Sequence, residues 1–443
     1  MTAVAGRANL VAPAAQGWQA RQDGPDREAG LNRAETVAPR AAPEGASLRG
    51  SNQATMRAHN ERLVLSLLRQ HGALAKSDIA RMTGLSAQTV SVIMRSLEQE
   101  GLILRGEPVR GRIGQPSVPM RLAPAGAFFL GLKIGRRSSD LILVDFLGEV
   151  RLARRHLHRY PTPAGVLAFV AEALPGLLAG LEPQERGRVA GLGVAMPFQL
   201  WAWAEHVGAP AAELEVWRRL DIQAELAALT GLAVHVQNDA TAACGAELVF
   251  GRGDRPRDFL YFYFGYFIGG GLVLNGRLFT GRSGNAAGVA PMPVPGPDGR
   301  MVRLMEVAST RALATAMEAA GQPSDRLWLS PDDWQADPAI LSAWMDAAAT
   351  GLASATLSAA ALLELEAVLI DGWMPAEVRA GIVARTQAAL HRLDLAGIDP
   401  PRIAAGTVGP DARALGAAAV PLAQRYMVDP ETLLAEAPAP PRG

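Results

Sequence analysis

Gly84-Leu85-Ser86-Ala87-Gln88-Thr89-Val90-Ser91-Val92-Ile93-Met94-Arg95-Ser96-Leu97 is the stretch that decides the fold of the first part of this chain. Val90, Ile93, Met94 and Leu97 fall at i, i+3, i+4 and i+7, the single apolar stripe of a half-buried helix. Ser86 stands where such a helix needs a cap, and Gly101 where it must stop. Gly84 supplies a tight turn from a short helix carrying Ile79, Ala80 and Met82, for which Ser77 is the expected cap. Leu85 is expected to plug the turn into the core. Upstream, Leu63, Val64, Leu67 and Leu68 make one face of another helix ending near Gly72. Downstream, residues 102–105 and 117–122 read as two strands around a loop rich in Gly, Pro and Arg. Three helices and a hairpin in this order predict a winged helix-turn-helix over residues 51–122.

The chemistry of that unit points at double-stranded DNA. In a helix-turn-helix, the outward residues near the start of the last helix reach base edges. Here the candidates are Ser86, Gln88, Thr89, Ser91 and Arg95, with Ala87 and Val92 beside them. Gln88 has the donor–acceptor pair that matches adenine N6/N7, and Arg95 suits a guanine or a phosphate. Ser86 and Thr89 are placed to hold phosphates with help from the helix N-terminus. Arg110 and Arg112 sit in the glycine-rich wing, suited to a minor groove or backbone contact. Residues 51–122 hold ten Lys/Arg against five Asp/Glu while the whole chain is neutral, so a basic unit is joined to an acidic remainder. Small three-helix protein-interaction modules share the spacing. The Gly84–Ser86 turn, the polar outer face and the two wing arginines favour DNA.

At 443 residues, 49% apolar and 19% charged, the chain has material for two or three packed domains. Residues 1–50 are rich in Ala, Pro, Gly and Arg without apolar periodicity and read as a disordered tail, and residues 435–443 as a flexible one. Cys244 is the only cysteine, which excludes an intrachain disulfide and a multi-cysteine zinc site. There is no 18-residue uncharged apolar run and no secretory start, so a prokaryotic cytoplasm is the expected compartment, without a membrane role.

From about Phe128 the pattern changes to alternating strands and helices. Strands are expected at residues 129–134, 141–145 and 149–153, a helix over 163–181, and strands at 189–195 and 234–237. The strand at 234–237 leads straight into a helix near Asp239. Further strands are expected at 260–264 and 272–274, with Asn275-Gly276 as a hairpin turn before 277–280. Ala/Leu-rich helices then enclose a strand at 368–371. This alternation predicts an α/β body over residues 123–434.

That body resembles the ROK family of repressors, uncharacterised reading frames and sugar kinases. The resemblance rests on Gly191-Leu192-Gly193-Val194-Ala195-Met196-Pro197, on Asn238-Asp239-Ala240-Thr241-Ala242-Ala243-Cys244-Gly245-Ala246-Glu247, on Gly269-Gly270-Gly271-Leu272-Val273-Leu274-Asn275-Gly276-Arg277-Leu278, and on Ala414-Leu415-Gly416-Ala417-Ala418. The segments Leu85 to Ser91 and Leu97 to Ile103, with the Gly-Arg wing, are similar to the family's repressors. The resemblance implies a two-lobed, actin-like ATPase fold with a sugar cleft between the lobes. It also implies effector contacts at Asn238, Asp239 and Glu306. For Asn238 and Asp239, a helix start before an Ala-rich run is an equally good reading.

The departures from the family are informative. The phosphate loop Asp-x-Gly-Gly-Thr is replaced by Lys133-Ile134-Gly135-Arg136-Arg137. The second loop, Gly-Thr-Gly-Ile-Gly, is replaced by Gly265-Tyr266-Phe267-Ile268-Gly269, which puts rings where amides should approach phosphate oxygens. Phosphoryl transfer depends on those parts, so no catalytic residue and no cofactor are expected. The family's zinc segment reads Ala287-Gly288-Val289-Ala290-Pro291 and Pro295-Gly296-Pro297-Asp298-Gly299, which offers zinc no N or S ligand, so no metal is expected. Trp201 and Trp203 alternate along what reads as an extended stretch, where core or interface is the commoner role. His206 and His235 read as structural.

Three functions fit. A one-component transcription regulator would couple DNA to a sugar or sugar-derivative effector, as a homodimer or homotetramer with repression the usual outcome. A carbohydrate kinase with an ancillary DNA-binding domain would need the altered loops. A DNA-binding protein with a mere dimerisation scaffold would respond to no ligand.

Overall fold

The computed structural model describes residues 53–108, 118–253 and 256–428, so the expected tails and the wing tip with Arg110 and Arg112 lie outside the described residues. Helices α1 (Gln53–His71), α2 (Lys76–Thr83) and α3 (Ala87–Gln99) form the helix-turn-helix. A small antiparallel sheet of β1 (Ala73–Leu74), β3 (Met120–Leu122) and β2 (Ile103–Arg105) closes it, in the order β1-β3-β2. Strand β1 is too short to carry a sequence signal. Ser77 does not cap α2, which begins one residue earlier behind Ala75, without a side-chain cap.

The body is built from two sheets with one plan. In the first, β4 (Phe128–Ile134), β5 (Ser138–Asp145), β6 (Val150–Leu157), β7 (Val189–Met196) and β8 (Val234–Asn238) lie in the order β6-β5-β4-β7-β8. In the second, the first three strands are β9 (Phe259–Phe264), β10 (Ile268–Leu274) and β11 (Arg277–Phe279). A hairpin of β12 (Pro293–Pro295) and β13 (Met301–Arg303) intervenes before β14 (Ala367–Gly372) and β15 (Arg402–Ala405), giving the order β11-β10-β9-β14-β15. In both, an antiparallel meander is followed by two parallel strands, which require helical crossovers. The β4–β5 and β9–β10 turns therefore occupy equivalent positions. This is the two-lobed α/β architecture expected, although β15 and the β12–β13 hairpin are too short and proline-bound to read from sequence.

Each lobe has its own apolar core. The first gathers Leu130, Leu132, Val170, Leu192 and Leu226, and the second Phe262, Phe264, Leu313, Leu352 and Ile370. The helix Ala412–Tyr426 lies against β4, β7 and the helix Asp239–Phe250. Its small residues allow backbone to touch backbone. A Cβ at Gly193 would sit 1.7 Å from the Ala417 carbonyl oxygen, and one at Gly416 would sit 1.8 Å from that of Ala242. That close approach explains the Gly and Ala runs in these segments.

The DNA-reading unit shares a core with the first lobe. Val64, Leu68, Val90, Met94 and Leu97 belong to the same buried cluster as Phe129, Val144, Phe146, Ala418 and Leu422. Ser66 Oγ accepts a hydrogen bond from the Val428 N–H at 3.0 Å, and Arg69 donates to the Phe146 carbonyl while stacking on its ring.

Candidate nucleic-acid interface and interlobe cleft

Gly84 ends α2 in a left-handed conformation, φ 69°, which only glycine adopts without strain. Ser86 then caps α3, its Oγ accepting from the Thr89 N–H at 3.1 Å and lying 2.9 Å from the Thr89 hydroxyl. Val90, Ile93, Met94 and Leu97 are buried as the periodicity requires, and Leu85 packs on their cluster. Geometry then leaves Gln88, Ser91, Val92 and Arg95 on one outward stripe. Among the described residues Gln88, Ser91 and Arg95 make no side-chain hydrogen bond or ion pair. Val92 is 49% exposed, which places an apolar group in the middle of that polar face. Arg105 on β2, by contrast, is taken up by Glu98, with two hydrogen bonds of 2.6 and 2.9 Å. These bonds hold the Glu98 carboxyl below the usual range.

The joint between reader and body is itself recessed. A cavity of about 440 Å³ lies between α1, the end of α3 and the helix Ala412–Tyr426, with Arg62, Arg188, Arg425 and Tyr426 on its walls. The Arg188 guanidinium lies against Gly101, where an added Cβ would meet it at 2.9 Å, and donates to the Ala125 carbonyl. A body side chain thus touches the residue that ends the recognition helix.

In the cleft the expected effector residues are partly consumed by the fold. Asn238 is buried, and its Oδ1 accepts from the Ala240 and Thr241 N–H groups at 3.0 and 3.2 Å, the cap of the helix Asp239–Phe250. Asp239 faces Arg413 at 3.4 Å. Glu306 lies elsewhere, capping a short helix through Arg303. It borders a second recess of about 490 Å³ whose wall includes Phe267 and Arg311. Trp217 is buried, its indole N–H donating to the Pro161 carbonyl, and Trp201 lies on a 3-10 turn over Leu200–Trp203 instead of an extended strand.

The two altered loops meet. Arg136 lies over the Phe267 ring at 4.9 Å and Arg137 over Tyr266 at 5.7 Å, so the two equivalent hairpin turns clasp each other across the cleft. Tyr266, from the second sheet, is buried in the core of the first lobe and leans on Trp328. Below them, Lys133 donates to Asp140 Oδ2 at 2.6 Å, and Arg155 binds the other carboxylate oxygen while lying 4.3 Å over Trp373. Burial pulls the Lys133 ammonium down to about 8 and the Arg136 guanidinium to about 10. Burial would raise the Asp140 carboxyl, but Lys133 and Arg155 outweigh it and hold it low. Burial takes the His158 imidazole down to about 4. Arg413 and Asp140 had no sequence signal. Lys133 did: it is the one charged residue in a strand of seven buried positions.

The sequence profile described as "ROK family" matches residues 129–423, well over half the chain. The chain belongs to the ROK family. The profile "Winged helix-turn-helix DNA-binding" matches residues 57–103 of the same ROK chain. The chain is 26% identical over 382 residues to the uncharacterized protein y4fQ of Sinorhizobium fredii, covering 83% of this chain and 91% of that one. It is 22% identical over 244 residues to a xylose repressor of Bacillus spizizenii, covering 55% of this chain. The match spans only 62% of that repressor's length. Its fold is that of a solved ROK family transcriptional regulator, homolog of the E. coli MLC protein. The TM-score is 0.60 at 21% identity, over 86% of this chain and 98% of the other. Among the described residues no helix is long and apolar enough to cross a membrane, and no group of three His, Cys, Asp or Glu side chains could hold a metal.

Proposed function

We propose that this ROK chain is a DNA-binding transcriptional regulator of carbohydrate-related genes, acting as a repressor, with its body serving as the sensor. The observation that carries the reading is the unconsumed stripe Gln88, Ser91, Val92 and Arg95 on a capped recognition helix whose back is bonded into the body's core. Gln88 and Arg95 read base edges, Ser86 and Thr89 approach phosphates, and Arg110 and Arg112 in the wing add sequence-independent affinity. Two copies are needed, since half-sites one helical turn apart require two recognition helices. The match to a protein named xylose repressor supports a sugar-linked regulon.

The effector enters between the lobes, at Asn238 and Asp239, with Glu306 at the neighbouring recess. The Oδ1 of Asn238 is committed to the cap, so its amide group donates and Asp239 accepts from ligand hydroxyls. The body does not act as a kinase, because Tyr266 and Phe267 fill one phosphate turn and arginines occupy the other. Selecting bound duplexes from a random pool, then titrating the selected site at several salt concentrations, tests the first part. We expect a two-fold symmetric site and an affinity falling steeply with salt. No preference over bulk competitor DNA would sink the reading. ATP turnover with any hexose would sink the assignment of the body.

A further inference from the structure

The outer face of a base-reading helix is ordinarily polar, and α3 departs from that at one position. Of the large apolar side chains on α3, Val92 is the one left exposed, at 49%. Gln88 stands four residues before it and Arg95 three residues after it, so the three side chains form a single ridge along the helix. That ridge lies opposite the buried stripe of Val90, Ile93, Met94 and Leu97, which fixes the direction in which it projects. All three ridge residues are exposed, and neither Gln88 nor Arg95 bonds to another described side chain.

A lone exposed apolar residue is common on protein surfaces and needs no partner. Its position sets this one apart. Val92 packs into no apolar cluster of the described residues. A β-branched side chain also forms helix less readily than the straight-chain residues that suit an exposed site. Neither core packing nor helix propensity therefore accounts for a valine here. What it does supply is stiffness: inside a helix valine holds essentially one rotamer, so its two methyl groups stand at fixed places. The major groove presents one apolar feature to meet them, the 5-methyl group of thymine, against which apolar side chains pack. From Gln88 to Arg95 the helix advances about 10 Å, close to three base-pair steps, and Val92 falls between the two ends.

We propose that Val92 is a specificity-determining residue that reads a thymine methyl, on either strand, between the bases addressed by Gln88 and Arg95. This rests on the reading of α3 as the recognition helix. The ridge then combines an amide, an apolar contact and a guanidinium in a fixed order. Each half-site carries a thymine at its centre that no hydrogen bond from the protein selects.

Base analogues test it with the full chain on the duplex selected from the random pool. Each thymine is replaced in turn by deoxyuridine, which removes the methyl group and leaves every hydrogen-bonding edge intact. At one position per half-site the wild-type protein should bind about fourfold more weakly, the value of one buried methyl. Cytosine at that position should bind more weakly still, and 5-methylcytosine should recover the share owed to the methyl. Val92→Ser should bind the thymine and deoxyuridine duplexes equally, with Tm unchanged. Val92→Ile, which stays apolar, should keep the discrimination. A selected site indifferent to every deoxyuridine replacement would overturn the proposal and leave DNA reading by α3 standing. So would a thymine preference that persists undiminished in Val92→Ser, because another group would then be reading the methyl. Failure of the wild-type chain to prefer any duplex over competitor DNA would remove both the proposal and the reading on which it rests.

Discussion

The recognition face and the interlobe cleft treat their polar side chains in opposite ways. On α3, Gln88, Ser91 and Arg95 project from a rigid stripe and form no internal bond among the described residues. In the cleft, Asn238 caps a helix, Asp239 is bound to Arg413, and the altered loops are stacked on one another. A surface that must read a large external partner keeps its donors and acceptors unspent. The cleft spends most of its polar groups on the fold itself. The recognition face is exposed chemistry on a fixed frame; the cleft is a clasp.

The largest effect should come from the frame that both regions share. Gly193→Val places side-chain carbon within the Ala417 carbonyl and should cost roughly 3 kcal/mol or more, or prevent folding, as read by urea denaturation. A variant with native stability would mean that the helix Ala412–Tyr426 does not tie the two regions together. Next, Gln88→Ala and Arg95→Ala should each weaken binding to the selected site by about 1–3 kcal/mol and relax sequence preference, with Tm unchanged. Loss of Tm there would show that these side chains are spent internally after all. Asn238→Ala should lower stability by about 1 kcal/mol through the lost cap, whereas Asn238→Asp should keep most of it. An unchanged Asn238→Ala would free that side chain from the fold and blur the contrast.

The smallest effect concerns pH. His158 is held neutral by burial, its folded value near 4 and its unfolded value near 6.5. Between those values the unfolded chain binds a proton that the folded chain refuses, so stability is full above about pH 6.5 and declines as pH falls toward 4. His158→Gln should flatten that part of the stability profile. An identical slope would place the decline on other groups.

The recognition helix was more legible than the cleft. The 3.6-residue spacing of Val90, Ile93, Met94 and Leu97, the cap at Ser86 and the glycine stops at Gly84 and Gly101 are local, and sequence carries local signals. Alternation in the body was equally plain, and the departures at Arg136, Arg137, Tyr266 and Phe267 were visible as departures. What those residues do with one another was not. Arg136 and Phe267 are 131 positions apart, and Asp239 and Arg413 are 174 apart. No periodicity reports such pairs. Ser77 and the Trp201 stretch misled because a serine near a helix start need not cap it, and alternating tryptophans suit a tight turn as well as a strand.

The continuous core beneath α1 and α3 bears on how such regulators can be re-engineered. Because Val90, Met94 and Leu97 are seated with Phe129, Phe146 and Leu422, residues 57–103 are not a detachable cassette. Exchanging the whole unit between relatives would replace half of a shared interior and leave the other half unmatched. Regrafting only the four outward positions, 88, 91, 92 and 95, leaves every buried neighbour in place. New operator preferences should therefore be reachable by transplanting a surface, and unreachable by transplanting a domain.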